Sequence, residues 1–384
     1  MEFDLDDEQR RLRDEARRFL EREAPVAYAR AMMEDPRGFT DDVWERMAGL
    51  GWTALPFPEE HGGLGQGFVA LAILLAEMGR VVSPGPYFST VVLFGCAVLE
   101  AGTEAQRKEV LPGICEGALR GTLAFDEHPA RWEPAGVAVE ARSDGSAGFR
   151  LLGRKRFVPD GLTAQRFVVA ARAPDGEVGL FLTEPDGRGI EASALASMDA
   201  TRKVADVAFD GTPARRLGDG GWPVIERVLR RAWVGLAAEM LGGAERVLEV
   251  SVAYAKDRVQ FGRPIGSFQA VKHRAADMLL EVESLRSAAY YAAWAVERDH
   301  PDASLAASMA KAYASEAAPR VAAGGIQIHG GIGFTWEHDL HLYFKRAKAS
   351  EAAFGDAAWH RERMAGILRE RYSPGAGAVT PSGG

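Results

Sequence analysis

The sequence predicts an α+β protein with a helical N-terminal domain, a middle antiparallel β domain and a C-terminal four-helix bundle. Three observations carry this. Helical periodicity runs from Asp6 to about Gly117, short β-type runs fill about Leu119 to Leu217, and long helical stretches resume after "GDGGWP" to about Tyr372. With 384 residues, 47% of them apolar, the chain is long enough for two or three subdomains with their own cores. The expected boundaries are 1–118, 119–217 and 218–372, followed by a flexible tail at 373–384.

In the first part, "DEQRRLRDEARRFLERE" places Leu12, Ala16, Phe19 and Leu20 on one helical stripe. "GFVALAILLAEMGRVV" is apolar nearly all round, which predicts a buried helix. "PFPEEHGGLGQG" and "SPGPY" read as loops. The β runs are "GTLAF", "GVAVEA", "FRLLGRKRFV", "RFVVAAR", "VGLFLT" and "VADVAF", separated by turns such as "APDGE" and "EPDGRG". In the last part, helices are expected at 222–257, 267–299, 302–323, 336–349 and 356–371, joined by short connections as in a bundle. The Gly-rich "SPGAGAVTPSGG" closes the chain as a disordered tail. There is no internal repeat and no strand–GxGxxG–helix unit, which argues against a doubly wound dinucleotide-binding sheet.

The net charge of −8 arises from intermixed acidic and basic residues, which points to a small-molecule protein rather than one that binds nucleic acid. Cys96 and Cys115 are isolated, as in a reducing cytoplasm, and read as two buried thiols. "MEFDLDDEQRR" lacks the apolar core of a signal peptide, and no apolar run is long enough to span a bilayer. A soluble, cytoplasmic protein is expected.

Two segments are candidates for chemistry. "YAKDRVQFGRPIGSFQAVKH" puts Arg258 on the last turn of a helix, with Ser267 placed to cap the next. An Arg there either balances the helix dipole or offers a planar fork to a pyrophosphate. Gln269 either is solvated or bonds an adenylate. "AGGIQIHGGIGFTWEHDLHLYFKRA" reads as a Gly-rich loop between helices, which turns a corner or lets backbone N–H groups approach an anion. His329, His338 and His341 lack a further ligand at a suitable spacing, so no metal is expected.

Together, "RxxFG…Q" at Arg258, Phe261, Gly262 and Gln269, "QIxGGxG" from Gln327 through Gly330 and Gly331 to Gly333, and "PEEHGGLG" resemble the acyl-CoA dehydrogenase family over essentially the whole chain. The resemblance implies FAD held without a Rossmann fold, an acyl-CoA substrate and electron-transfer flavoprotein as acceptor. It also implies a carboxylate that takes the α-proton of the thioester while hydride leaves the β-carbon. In that family each FAD lies across a subunit interface. Arg258, Phe261, Gln269, Gln327, Gly330 and Gly331 match residues that reach across to the FAD held mainly by the neighbouring subunit.

The residues that would hold FAD within the same chain depart from the family pattern. Where members read TEPxAGSD, this chain has Phe125 to Pro129 and then "ARWEPAG", with a carboxylate at Asp126. Where they read W-I-(T/S)-N-G, it has Phe157 to Gly161, and Pro159 has neither hydroxyl nor N–H to offer. Phe354 stands at the catalytic Glu, and Ala232, followed by Trp233, at the position used by a minority of members. Relocated bases are conceivable at Glu239, otherwise a paired or surface Glu, and at Asp356, otherwise an N-cap.

The pattern resembles that of actinobacterial members in which one chain lacks the Glu and works in a two-plus-two heterotetramer on steroid side-chain CoA thioesters. A second acyl-CoA dehydrogenase chain is the implied partner. Other readings are a self-sufficient homotetramer using Glu239, a non-enzymatic scaffold, and a flavin monooxygenase on the same fold.

Overall fold

The computed structural model describes residues 5–145 and 148–372; the expected tail at 373–384 lies outside them. Helix α1 (Asp7–Glu23) begins with a capping box in which Gln9 N–H donates to Asp6 Oδ1 at 2.9 Å and Asp6 N–H to Gln9 Oε1 at 3.1 Å. It buries Ala16, Phe19 and Leu20, as the stripe predicts. Helices α2 (Val26–Glu34) and α3 (Asp41–Gly49) follow. Helix α4 (Gly67–Arg80) is buried along nearly its whole length, as its apolar composition requires.

A π-helical stretch, Phe88–Gly95, runs into α5 (Cys96–Ala101), and α6 (Glu104–Cys115) ends the first helical part. Cys96 and Cys115 are buried free thiols.

The strands are β1 (Gly121–Ala124), β2 (Glu140–Ser143), β3 (Phe149–Pro159), β4 (Arg166–Arg172), β5 (Val178–Thr183), β6 (Ile190–Ala194) and β7 (Val204–Arg216). The sheet is mixed rather than purely antiparallel. Gly121 pairs with Arg166 in a parallel β1–β4 ladder, and β2 also touches β4 in parallel. Hairpins enforce antiparallel pairing only between neighbours joined by tight turns, and the chain travels through β2 and β3 before β4 returns beside β1. Because β5 pairs with both β4 and β7, these strands close on themselves, leaving β1 and β6 as edges with one strand partner each among the described residues. Val139, Leu151, Phe167, Val169, Phe181 and Val207 are among the residues of this sheet's own core.

Helix α7 (Gly221–Asp257) crosses α4 with the backbones in contact. An added Cβ would sit 2.0 Å from Glu239 O at Gly79 and 1.7 Å from Ala76 O at Gly242. A two-strand hairpin, β8 (Val259–Gln260) and β9 (Arg263–Pro264), leads to α8 (Gln269–Glu297). Glu297, at the end of α8, accepts the N–H of Val69 at 2.8 Å and so caps α4 from across the fold.

Helix α9 (Ala303–His329) continues six residues past the expected end, followed by α10 (Leu340–Ala352) and α11 (Ala357–Tyr372). Gly324 and Gly325 look like loop residues in sequence. In the helix they are contact residues, since an added Cβ would meet Met278 Sδ at 2.9 Å and Val247 Cγ1 at 2.5 Å. Ser267 does not cap α8, because its hydroxyl donates to Pro264 O at 2.7 Å. No helix among the described residues is long and apolar enough to cross a membrane.

Candidate functional site

Six residues singled out in the sequence lie at one end of the bundle. Helix α7 stops at Asp257, so Arg258 is just outside it with extended backbone, its N–H on Tyr254 O at 2.8 Å. Ile265 N–H returns to Arg258 O at 2.8 Å and closes the hairpin. Phe261 and Gly262 form the tip with φ of 54° and 77°. A positive φ at both positions suits the primed hairpin turns, in which Gly is expected and Phe is uncommon. Phe261 is 91% exposed.

Helices α8 and α9 run antiparallel, with Met278 against Gly324 and Arg320 Nε donating to Glu281 Oε1 at 2.8 Å. In that register the start of α8, with Gln269, and the end of α9, with Gln327, lie at the same end of the helix pair, ahead of Gly330 and Gly331. Tyr254 stacks on His329 at 4.3 Å, and His329 meets His338 at 4.7 Å, tying α7, α9 and the following loop together. His341 is elsewhere, stacked on Trp336 at 4.7 Å. All six residues are exposed, and the guanidinium of Arg258 makes no ion pair or hydrogen bond with any described residue. Around them Ile332, Phe334 and Trp336 are 49%, 79% and 58% exposed, an apolar rim of the kind that marks an interface.

The residues that depart from the family pattern after β1 lie against α11 through Trp132, and there side chains close on one another. Beyond β1, Trp132 Nε1 donates to Asp126 Oδ1 at 2.9 Å. Lys155 Nζ donates to Glu127 Oε1 at 2.6 Å and to Phe125 O at 2.9 Å, fixing this segment to β3. Burial pushes the Asp126 carboxyl up to about 6 despite the Trp132 N–H and Lys155. Across from it, Trp359 on α11 meets Trp132 edge-on at 5.7 Å and Trp233 at 5.7 Å. A planar ring between two walls needs about 7 Å, a carbon contact of 3.5–4 Å on each side. Trp132 and Trp359 leave no such gap.

Phe354 is buried, with φ of 53°, and its carbonyl accepts Trp233 Nε1 at 2.8 Å. Lys311, fully buried, holds the same turn by donating to Glu351 O at 3.1 Å, Gly355 O at 2.8 Å and Ser315 Oγ at 3.0 Å. Burial lowers its ammonium to about 7. Asp356 is an N-cap, since Trp359 N–H donates to its Oδ1 at 2.8 Å. Pro159 ends β3, and Asp160 after it accepts Ser89 Oγ at 2.6 Å.

Glu239 is buried between Arg202 and Arg346, and Arg346 also donates to Asp199 Oδ2 at 2.6 Å and Thr201 Oγ1 at 2.7 Å. Burial alone would raise the Glu239 pKa, but the two guanidiniums outweigh it and hold the carboxyl below its ordinary range. The cavity beside it, bounded by Met78, Phe88, Pro159 and Asp160, is about 20 Å³. That is room for about one water, not an acyl chain. Ala232, on the same helix, is completely buried.

Trp132, Trp359, Lys311, Arg202 and Arg346 were not identifiable from sequence. Each acts through a partner from a distant segment, which no local pattern signals.

A closed sheet between an N-terminal helical part and a C-terminal helical bundle, with one exposed, cation-bearing bundle end, defines a three-part helical–β–helical fold. Residues 6–118 match the family model "Acyl-CoA dehydrogenase, N-terminal domain" and 219–368 match "Acyl-CoA dehydrogenase, C-terminal domain". The acyl-CoA dehydrogenase IpdE2 of Mycolicibacterium smegmatis is 35% identical over 91% of this chain and 96% of its own. Among solved structures, a variant of the Tcur3481-Tcur3483 steroid ACAD is 33% identical with a TM-score of 0.87, covering 96% of this chain and 99% of that one. The ChsE4-ChsE5 complex from Mycobacterium tuberculosis is 29% identical with a TM-score of 0.87, covering 97% and 100%. The chain belongs to the acyl-CoA dehydrogenase family, whose members are FAD-dependent flavoproteins.

Proposed function

We propose that this chain is the subunit without a catalytic base in a heteromeric acyl-CoA dehydrogenase, paired two-plus-two with a second acyl-CoA dehydrogenase chain. FAD, when bound, accepts the hydride in the α,β-dehydrogenation of an acyl-CoA thioester and is reoxidised by an electron-transfer flavoprotein. Arg258 pairs with its pyrophosphate, while Phe261, Gln269, Gln327, Gly330 and Gly331 complete the wall around a flavin held mainly by the partner. The partner contributes the carboxylate that takes the α-proton. The steroid ACAD among the structural relatives makes a bulky steroid-derived acyl group the favoured substrate class.

The observation that carries this reading is the direct Trp132–Trp359 contact beside Asp126, which we take to occupy the place of this chain's own flavin, while Arg258 stays exposed with no side-chain partner among the described residues. Glu239 does not favour the homotetramer reading. It is already ionised between two guanidiniums and beside a closed cavity, so it has little affinity for a substrate proton.

The test is to purify the chain alone and with its partner, then measure bound FAD and dye-linked dehydrogenation of acyl-CoAs. The lone chain should carry almost no FAD, and the pair one FAD per two chains. Arg258→Ala should weaken FAD binding by the pair about tenfold or more, the loss of one charge-assisted contact. Stoichiometric FAD with turnover by the lone chain would sink the reading.

A further inference from the structure

We propose that Glu60, His61 and Glu104 form a binding site for a divalent transition-metal cation of the zinc class, separate from the flavin face. Among the described residues, one grouping of His, Cys, Asp and Glu brings three possible ligand atoms within 4.8 Å of one another, and it is this one. His61 ends the short turn Glu59–His61 inside "PEEHGGLG", where Gly62 with φ of 83° reverses the chain. Glu104 is the first residue of α6, fixed by the Thr103–Gln106 capping box. The site therefore joins a loop to the start of a helix.

The His61 side chain is 1% exposed, yet it makes no hydrogen bond. Its Nδ1 is buried without a partner, and Nε2 faces Glu60 Oε1 at 3.7 Å and Glu104 Oε2 at 3.8 Å. These distances are too long for hydrogen bonds. They suit ligands around a shared cation, since metal–nitrogen and metal–oxygen bonds of about 2.0–2.2 Å put neighbouring ligand atoms about 3.4 Å apart at a tetrahedral angle. The closure needed falls on the side chains of Glu60 and Glu104, which are 71% and 54% exposed.

One imidazole and two carboxylates are a borderline donor set that selects zinc-like cations over magnesium, which prefers an all-oxygen shell. Lys108 Nζ holds the other oxygen of Glu104 at 3.2 Å, leaving Oε2 for the cation. The open side toward solvent leaves a position for water. Histidine spacing alone did not reveal the site, because its ligands come from adjacent positions in one turn and from a separate helix.

Equilibrium dialysis of the full chain against zinc chloride, with metal counted by atomic absorption, should find one saturable Zn²⁺ per chain. Excess Mg²⁺ should not displace it. Glu60→Gln and Glu104→Gln alter exposed side chains and should each weaken binding about tenfold or more, with the melting temperature of the metal-free protein unchanged. His61→Ala should abolish binding. If the wild type shows no saturable Zn²⁺, or if both glutamine variants bind as tightly as the wild type, the site does not exist.

Discussion

Glu239 and Lys311 are buried charged residues whose surroundings have set them to opposite ends. Glu239 is ionised and doubly paired, so its charge balances Arg346 and Arg202 rather than awaiting a proton. Removing one partner of such a cluster strands the others, and Glu239→Gln should cost about 3–5 kcal/mol in urea unfolding. Because its folded pKa is depressed, its stabilisation is complete above the ordinary glutamate range and fades as pH falls through the folded value. A Glu239→Gln protein as stable as wild type, in a complex that no longer turns over, would return Glu239 to the role of base.

Lys311 behaves in the reverse sense. With a folded pKa of about 7 against about 10.4 in the unfolded chain, the unfolded state holds the proton more tightly between those values. Its contribution therefore makes the fold more stable as pH rises from 7 toward 10. The stability difference between wild type and Lys311→Met should change over that range by up to about 1.4 kcal/mol per pH unit. A difference that stays flat would mean the ammonium is not desolvated.

At the level of elements, glycine is what lets the helices meet. Gly242→Ala should lose about 1–3 kcal/mol, since the clash with Ala76 O outweighs better helix propensity. Gly366, inside α11 with open space around its Cβ position, should respond oppositely. Gly366→Ala is expected to gain about 0.5–1 kcal/mol by the same urea assay. The pair separates packing from propensity on one scaffold.

These elements also show how far sequence reasoning reaches. Helices α1 and α4 are readable because a stripe or an all-apolar run has one stable placement. The end of α9 is not, because Gly324 and Gly325 carry the same letters whether they make a loop or admit Met278 and Val247. Strand β6 escapes because "IEASA" is short and mostly exposed, and its apolar positions are one Ile and two small Ala residues that give its alternation little contrast. The parallel β1–β4 pairing has no local signal at all. For the candidate site, the motifs place six residues on one bundle end. The Trp132–Trp359 contact joins distant segments, and no motif encodes it.

For the whole molecule, the two faces make different demands. The bundle end exposes Phe261, Phe334 and Trp336 to solvent, a poor arrangement for an isolated chain and a sound one for a subunit. Phe261→Asp should leave the lone chain within about 0.5 kcal/mol of wild-type stability, because the ring touches little else. The same change should weaken assembly with the partner about tenfold or more by sedimentation, the effect of burying an unpaired charge. Unaltered assembly would place the interface elsewhere.

The Trp132–Trp359 contact also governs whether this arrangement can be undone. A Glu placed at Phe354 would put a carboxylate in a buried turn held by Lys311 and Trp233, with the Trp132–Trp359 contact still in place nearby. Independence would need both rings cleared and a hydroxyl regained near Pro159 as well, and none of these steps helps without the others. On the heteromeric reading proposed above, the two rings act as a ratchet, making reliance on a second gene product hard to reverse by single steps.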